Sequence, residues 1–254
     1  MRPMKGSYRF QIRTYECGAD GRATLPTVCN LLQEAASLNA EALGFSRSNF
    51  AAEGADISWV LTRIVIKMRR YPEWEDVVTV ETFPRGGRKV VAWRDFELKD
   101  ASGEVLGVAS SEWMLINLAT RRIVPVPKGV FDAADPSDAP VLGIDPFTRF
   151  RFPAAGSAAP AGKFASFRAQ RSHIDLNGHV NNAHYVEWML EPCANACPDE
   201  MEIAFRTETL AGDEVFVDRA VEDGATYLRV FAADGTDHAT ARARFGTGNK
   251  EASA

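Results

Sequence analysis

The chain has 254 residues, 46% of them apolar, 25% charged and 10% aromatic, a globular composition that argues against collagen, a coiled coil and a disordered tail. Its 34 acidic residues against 29 basic give a net charge of −5, which disfavours nucleic acid as a partner because phosphate binding rests on a basic excess or a dense basic face. No apolar run is long enough for a membrane span or a signal h-region, and Cys17, Cys29, Cys193 and Cys197 are too few and too irregular for a disulfide framework, so a reduced, cytoplasmic protein with no membrane partner is expected.

In chain order, Tyr8 to Tyr15 alternates Phe10 and Ile12 with Arg9, Gln11 and Arg13, the period of a half-buried strand, and Gly18-Ala19-Asp20-Gly21 turns the chain. The segment from Leu25 to Gly44 predicts a helix, with Pro26 near its start, apolar positions at Leu31, Leu32, Ala35 and Leu38, and Gly44 as its stop. Strands are expected at Ser58 to Arg69, Asp76 to Phe83, Lys89 to Leu98 and Val105 to Leu118, rich in β-branched and aromatic residues between Pro, Gly and Asp punctuation. From Lys128 to about Ala161 the composition shifts to Pro, Ala, Asp and Gly, which suits a long surface connection. The order then repeats: a strand at Phe164 to Arg171, a helix from about Asn181 to Glu191 stopped by Pro192, and strands near Glu202 to Thr209, Glu214 to Val221, Thr226 to Ala232 and Ala239 to Phe245.

A sheet whose first strand is followed by one helix buries a face by curling around that helix. The expected class is therefore α+β, two tandem hotdog domains forming a double hotdog. The expected division is a first domain over 1–130, a linker over 131–161 and a second domain over 162–248.

Chemistry concentrates in His173-Ile174-Asp175-Leu176-Asn177-Gly178-His179-Val180-Asn181-Asn182-Ala183-His184-Tyr185. In an extended stretch the i, i+2, i+4 spacing would put Asp175, Asn177 and His179 on one side of the backbone. The helix that follows would offer its N–H groups and positive end to an oxyanion. The bland alternative is a capped turn, since Asp and Asn cap helices and Asn-Gly makes turns. His173 and His184 are read as packed or solvated.

The segment DLNGHVNNAHYVEW resembles the D-x-N-x-H-V-N-N-x-x-Y stretch of the acyl-ACP thioesterases. TYECGADGRATLPTVCNLLQEAA, SWVLTRIVIKMRRYPEWEDVVTVET and SSEWMLINLATRRIVPVP resemble further family segments in order and spacing, so the resemblance spans nearly the whole chain outside 131–161 and the tail. It implies hydrolysis of the thioester of fatty acyl-ACP, with catalytic residues at Asp175, Asn177, His179 and, in the stretch Phe205-Arg206-Thr207-Glu208, Glu208. The residue after that Glu, often Cys in plant members, is Thr209 here, which removes a thiolate from this place. Strict alternation through Ile203 and Phe205 would otherwise make Glu208 an exposed strand carboxylate.

The other cysteines lack the histidine spacing of a nucleophile and the second ligand pair of a zinc site, so neither metal nor cofactor is implied. The remaining route is attack by water, with Glu208 or Asp175 as general base, His179 protonating the departing thiolate and Asn177 fixing water or the carbonyl. Laying the halves together from their Asp-containing turns sets Asp20-Gly21-Arg22-Ala23-Thr24 opposite Asp175 to His179, so the first half lacks the Asn and His. By resemblance that half builds the acyl pocket, with Leu31, Leu32, Val60 and Ile64 as either pocket lining or core.

An acidic acyl carrier protein as partner needs a locally basic surface, and Lys67, Arg69, Arg70, Arg85, Arg88, Lys89, Arg121, Arg122 and Lys128 are the candidates. A homodimer is compatible with the resemblance. The start of the chain close to its first strand, without a plastid transit segment, points to a bacterial-type cytoplasmic enzyme. The rival readings are an acyl-CoA thioesterase, a hotdog enoyl-thioester hydratase, whose D-x-N-P-x-H pattern is broken by Gly178, and a non-catalytic acyl-binding module.

Overall fold

The computed structural model describes residues 5–134, 140–142, 147, 150–153, 163–193 and 197–246. The chain divides into two compact units, residues 1–23 with 30–147 and residues 24–29 with 148–254. Most of the connection expected over 131–161 lies outside the described residues.

The first unit holds β1 (Gly6–Gln11), most of α1 (Leu25–Leu43), α2 (Arg47–Ala52), β2 (Ile57–Met68), β3 (Val77–Arg88), β4 (Val91–Lys99), β5 (Val105–Asn117), β6 (Ile123–Val124) and α3 (Lys128–Asp132). Its sheet is antiparallel in the order β1-β3-β4-β5-β2, with β6 on β5. Leu25, Val28, Leu32, Ala35 and Asn39 are buried on one face of α1, the three-and-four spacing of an amphipathic helix, and Gly44 at φ +87° stops it. Val78, Val80, Phe96, Leu98 and Ile64 fill the sheet's inner face. Each such side chain contributes about 1.5–3 kcal/mol by leaving water.

Three short elements, α2, β6 and α3, were not expected. Strand β3 also runs past Phe83, because Pro84, Gly86 and Gly87 stay paired with β4 across a β-bulge at Arg85 rather than breaking the chain.

The second unit repeats the plan. It holds β7 (Lys163–Arg168), α4 (Asn182–Leu190), β8 (Glu200–Phe205), β9 (Glu214–Glu222), β10 (Ala225–Phe231) and β11 (Asp237–Arg244). The antiparallel order is β7-β9-β10-β11-β8, the same first-third-fourth-fifth-second sequence as in the first unit. Helix α4 packs on β9 and β10 with Val186 and Met189 fully buried. Val215, Val217, Leu228, Val230, Ala239 and Ala241 close the core beneath it. A helix over a curled antiparallel sheet, twice in one chain, is the α+β hotdog architecture.

Strand β8 stops at Phe205, short of the expected Thr209, because the next two amides turn aside: Arg206 and Thr207 N–H both donate to the His238 carbonyl, at 2.8 and 3.2 Å. Glu208 therefore leaves the sheet, and the alternation argument for an exposed strand carboxylate does not apply to it.

Candidate active site

The chain from Asp175 to His179 is a turn, not the extended stretch expected. Asp175 N–H donates to the His179 carbonyl at 2.8 Å, Gly178 N–H to the Asp175 carbonyl at 3.0 Å, and Asn177 N–H to Asp175 Oδ1 at 2.7 Å. The Asp175 carboxylate thus closes an Asx turn, and Gly178 at φ +83° supplies the left-handed residue it needs. The three predicted side chains consequently do not leave the backbone in parallel. Leu176 and Asn177 are exposed at the tip, while Asp175 and His179 are half-buried at its base.

The base of the turn is tied to the segment after β8. Val180 N–H donates to the Thr209 carbonyl at 3.0 Å. The residues just before these two, His179 and Glu208, therefore sit side by side, with His179 Nε2 2.9 Å from Glu208 Oε2. Of the four residues expected in the site, this contact joins two that are 29 positions apart in sequence. An imidazole Nε2–H bonded to a carboxylate leaves Nδ1 as the proton-accepting nitrogen of the neutral ring, the usual build of a general acid–base pair.

The helix end is less open than expected. Asn181 caps α4 by accepting Ala183 N–H at 2.9 Å, and its carbonyl takes His184 N–H at 2.9 Å. Two of the amides proposed for an oxyanion are thus already bonded; what the helix offers is its positive end. His173 and His184 stand apart from the pair: His173 Nδ1 accepts Gln170 N–H at 3.1 Å, and His184 Nδ1 meets Glu187 Oε2 at 2.8 Å.

Sequence reading missed a buried trio behind Glu208. Tyr185 donates to Thr209 Oγ1 at 2.8 Å, and Thr209 Oγ1 lies 2.6 Å from His238 Nδ1. Burial pushes the Tyr185 phenol up and the His238 imidazole down, so both are neutral near pH 7. Tyr185 falls within the recognised motif, but nothing in sequence connects His238 to it. Two of the thiols are poor nucleophiles: burial pushes Cys29 up to about 12 and also raises Cys193. Among the described residues no group of three His, Cys, Asp or Glu side chains could hold a metal.

The corresponding place in the first unit has the same backbone without the chemistry. Gly18 N–H donates to the Arg22 carbonyl at 2.8 Å, Gly21 N–H to the Gly18 carbonyl at 3.0 Å, and Ala23 N–H to the Pro72 carbonyl at 2.8 Å. Matching these bonds to those of the second unit sets Gly21 opposite Gly178, so the alignment from Asp20 onto Asp175 is out of register. Gly18, Asp20, Arg22 and Tyr71 occupy the places of Asp175, Asn177, His179 and Glu208. Arg22 is turned onto Asp20 at 2.7 Å and Tyr71 is buried.

The first unit instead carries an apolar pocket, lined by Ala36, Ala40, Trp59, Trp93, Trp113 and Arg94 among others. Of the residues expected as lining or core, Leu31, Leu32 and Ile64 are core, and none of the four lines the pocket. Arg94, held down to about 10 by burial and so still charged, donates to Asn39 at 2.6 Å and Thr82 at 3.1 Å. Among the basic candidates Arg85 is withdrawn from the surface against Asp95 at 3.2 Å, whereas the others are exposed.

Two hotdog units in one chain give the fold class, and comparison with known proteins gives the family. Two family models divide the chain: the acyl-ACP thioesterase N-terminal domain matches residues 4–134 and the acyl-ACP thioesterase C-terminal domain residues 156–247. The chain is 33% identical over 210 residues to oleoyl-acyl carrier protein thioesterase 2, chloroplastic, of Arabidopsis thaliana, covering 77% of this chain and 56% of that one. It is 34% identical over 221 residues to the oleoyl-acyl carrier protein thioesterase of Coriandrum sativum, covering 81% and 57%. The chain thus spans a little over half the length of these curated relatives. An acyl-ACP thioesterase structure from Bacteroides thetaiotaomicron shares the fold at TM-score 0.83 and 24% identity, over 96% of this chain and 98% of that one. The chain belongs to the acyl-ACP thioesterase family.

Proposed function

We propose that the chain hydrolyses the thioester of a fatty acyl-ACP, releasing free fatty acid and holo-ACP, with water as the nucleophile and no covalent intermediate. The observation that carries this reading is the His179–Glu208 contact at 2.9 Å, in a chain that belongs to the acyl-ACP thioesterase family. The pair takes a proton from water as its oxygen attacks the thioester carbonyl. The C–S bond then breaks and the proton passes from His179 to the departing thiolate. Glu208 is assigned as the carboxylate of the base because it contacts His179, while one oxygen of Asp175 is occupied by the Asn177 amide. Asp175 builds the turn and adds negative charge nearby, and Asn177, at the tip, meets the substrate.

The pocket of the first unit is assigned to the acyl chain, on its tryptophan and alanine lining, and the domain ranges 1–130 and 162–248 are kept as functional divisions. The exposed basic residues of the first unit are assigned to the acidic carrier protein. A cytoplasmic place in fatty-acid synthesis fits the four free thiols.

The test is free-thiol release from a panel of acyl-ACPs and matched acyl-CoAs. Faster release from acyl-ACP supports the proposal, and faster release from acyl-CoA makes CoA the carrier. Water addition to enoyl thioesters, or acyl binding with no release from any substrate, overturns it.

A further inference from the structure

The hydrolytic scheme leaves the buried side of the Glu208 segment unused. Thr209 is fully buried, whereas the carboxylate that precedes it is 44% exposed. Its hydroxyl is held from two elements, by Tyr185 on α4 at 2.8 Å and by His238 on β11 at 2.6 Å. A threonine hydroxyl carries one proton. With Tyr185 donating to Thr209 Oγ1, the Thr209 proton goes to Nδ1 of a neutral His238, and the chain Tyr185 to Thr209 to His238 runs in one direction.

The backbone makes the same connection. The His238 carbonyl accepts Arg206 and Thr207 N–H, and the Thr209 carbonyl accepts Val180 N–H at 3.0 Å, next to His179. Both sides of the His179–Glu208 contact therefore meet at Thr209. Buried polar chains of this kind lock one conformation, since breaking one bond strands the next group.

Resting on the hydrolase reading above, we propose that Thr209 is a positioning residue: its hydroxyl, clamped between Tyr185 and His238, fixes the backbone from which Glu208 emerges and so sets the carboxylate against His179. Thr209 is not in this account a nucleophile, because it is sealed from solvent. Its contribution lies in the turnover step, where a displacement of about 1 Å can cost on the order of 100-fold, and not in substrate binding.

The experiment compares Thr209→Val, Thr209→Ser, Tyr185→Phe and Glu208→Gln in the full chain, with kcat and KM resolved on acyl-ACP. It also records the ring ¹⁵N resonances of His179, one of only four histidines. Thr209→Val is expected to lower kcat about 10- to 100-fold with KM nearly unchanged. Thr209→Ser should recover most of that loss. Adding Thr209→Val to Glu208→Gln should cost little more, because the residue it positions is already disabled. The His179 resonances of Thr209→Val should move toward those of Glu208→Gln. Should Thr209→Val fail to fold, Tyr185→Phe carries the test, with a smaller kcat loss and the same direction of shift. Wild-type kcat in a folded Thr209→Val, no rescue by Ser, a multiplicative double variant, or unmoved His179 resonances would each overturn the proposal. The resonance comparison needs no substrate, so it decides the positioning even if the wild type hydrolyses nothing and the hydrolase reading fails.

Discussion

Replacing Glu208 with Gln separates chemistry from architecture more sharply than any other single change. The amide oxygen of Gln can still accept the His179 Nε2–H, so shape and one hydrogen bond survive while the negative charge that supports the imidazole as base is lost. A positioned acid–base group is worth about 10²–10⁴-fold, which at 1.36 kcal/mol per tenfold is about 2.7–5.4 kcal/mol of barrier. The contribution to folding is far smaller. The pair is 2.9 Å apart, but Glu208 is 44% exposed, and ion pairs that open to water are worth about 0–1 kcal/mol. At this chain size that is a melting shift of no more than about 4 °C. The assays are holo-ACP thiol release under saturating acyl-ACP and a calorimetric melt on the same preparation. A kcat within about threefold of wild type, or a stability loss above about 3 kcal/mol, would refute the reasoning, the first by removing Glu208 from the chemistry and the second by making it a structural residue.

Asp175→Asn keeps the acceptor for the Asn177 amide and is expected to leave the melting temperature nearly unchanged while lowering kcat; Asp175→Ala should lower both, and equal stability of the two would remove the Asx turn from the account. Burial lowers the His238 pKa from 6.5, so the unfolded chain binds the extra proton first; stability should fall as pH drops below about 6.5 and level off below the folded pKa. His173 is lowered likewise and adds to the same trend. His238→Asn should flatten the melting curve over that range, and an unchanged pH profile would contradict the assignment. Ala40→Leu fills part of the pocket in the first unit and should shift the acyl-ACP profile toward shorter chains; an unaltered profile would place the acyl chain elsewhere.

The long periodic elements were legible because burial imposes a period on them: α1 ends at Leu43 as Gly44 requires, and β2, β4 and β5 fall within two residues of expectation at each end. Helices α2 and α3 and strand β6 were not, being too short to show a period. At the site, the residue types in Asp175 to His179 were legible, but their geometry was not. A left-handed Gly178 sits in a turn where an extended stretch was one reading, and the i, i+2, i+4 argument holds only for extended backbone. The register between the halves failed for a related reason. Matching Asp20 to Asp175 follows residue identity, whereas the backbone bonds repeat on Gly21 and Gly178. The approach of Glu208 to His179 depends on where β8 stops, which the His238 carbonyl decides from 31 or 32 positions further along the chain. No local pattern carries that information.

The proposed chemistry is direct hydrolysis at His179 and Glu208. It is tested most directly by rapid-quench turnover of acyl-ACP in ¹⁸O-labelled water, with mass spectrometry of both the fatty acid and the intact protein. Free acid carrying one solvent oxygen is expected, with no acyl-protein adduct at any time point and turnover suppressed in Glu208→Gln. An acylated protein that forms and decays with product release, or no free acid at all from the wild type, would contradict it.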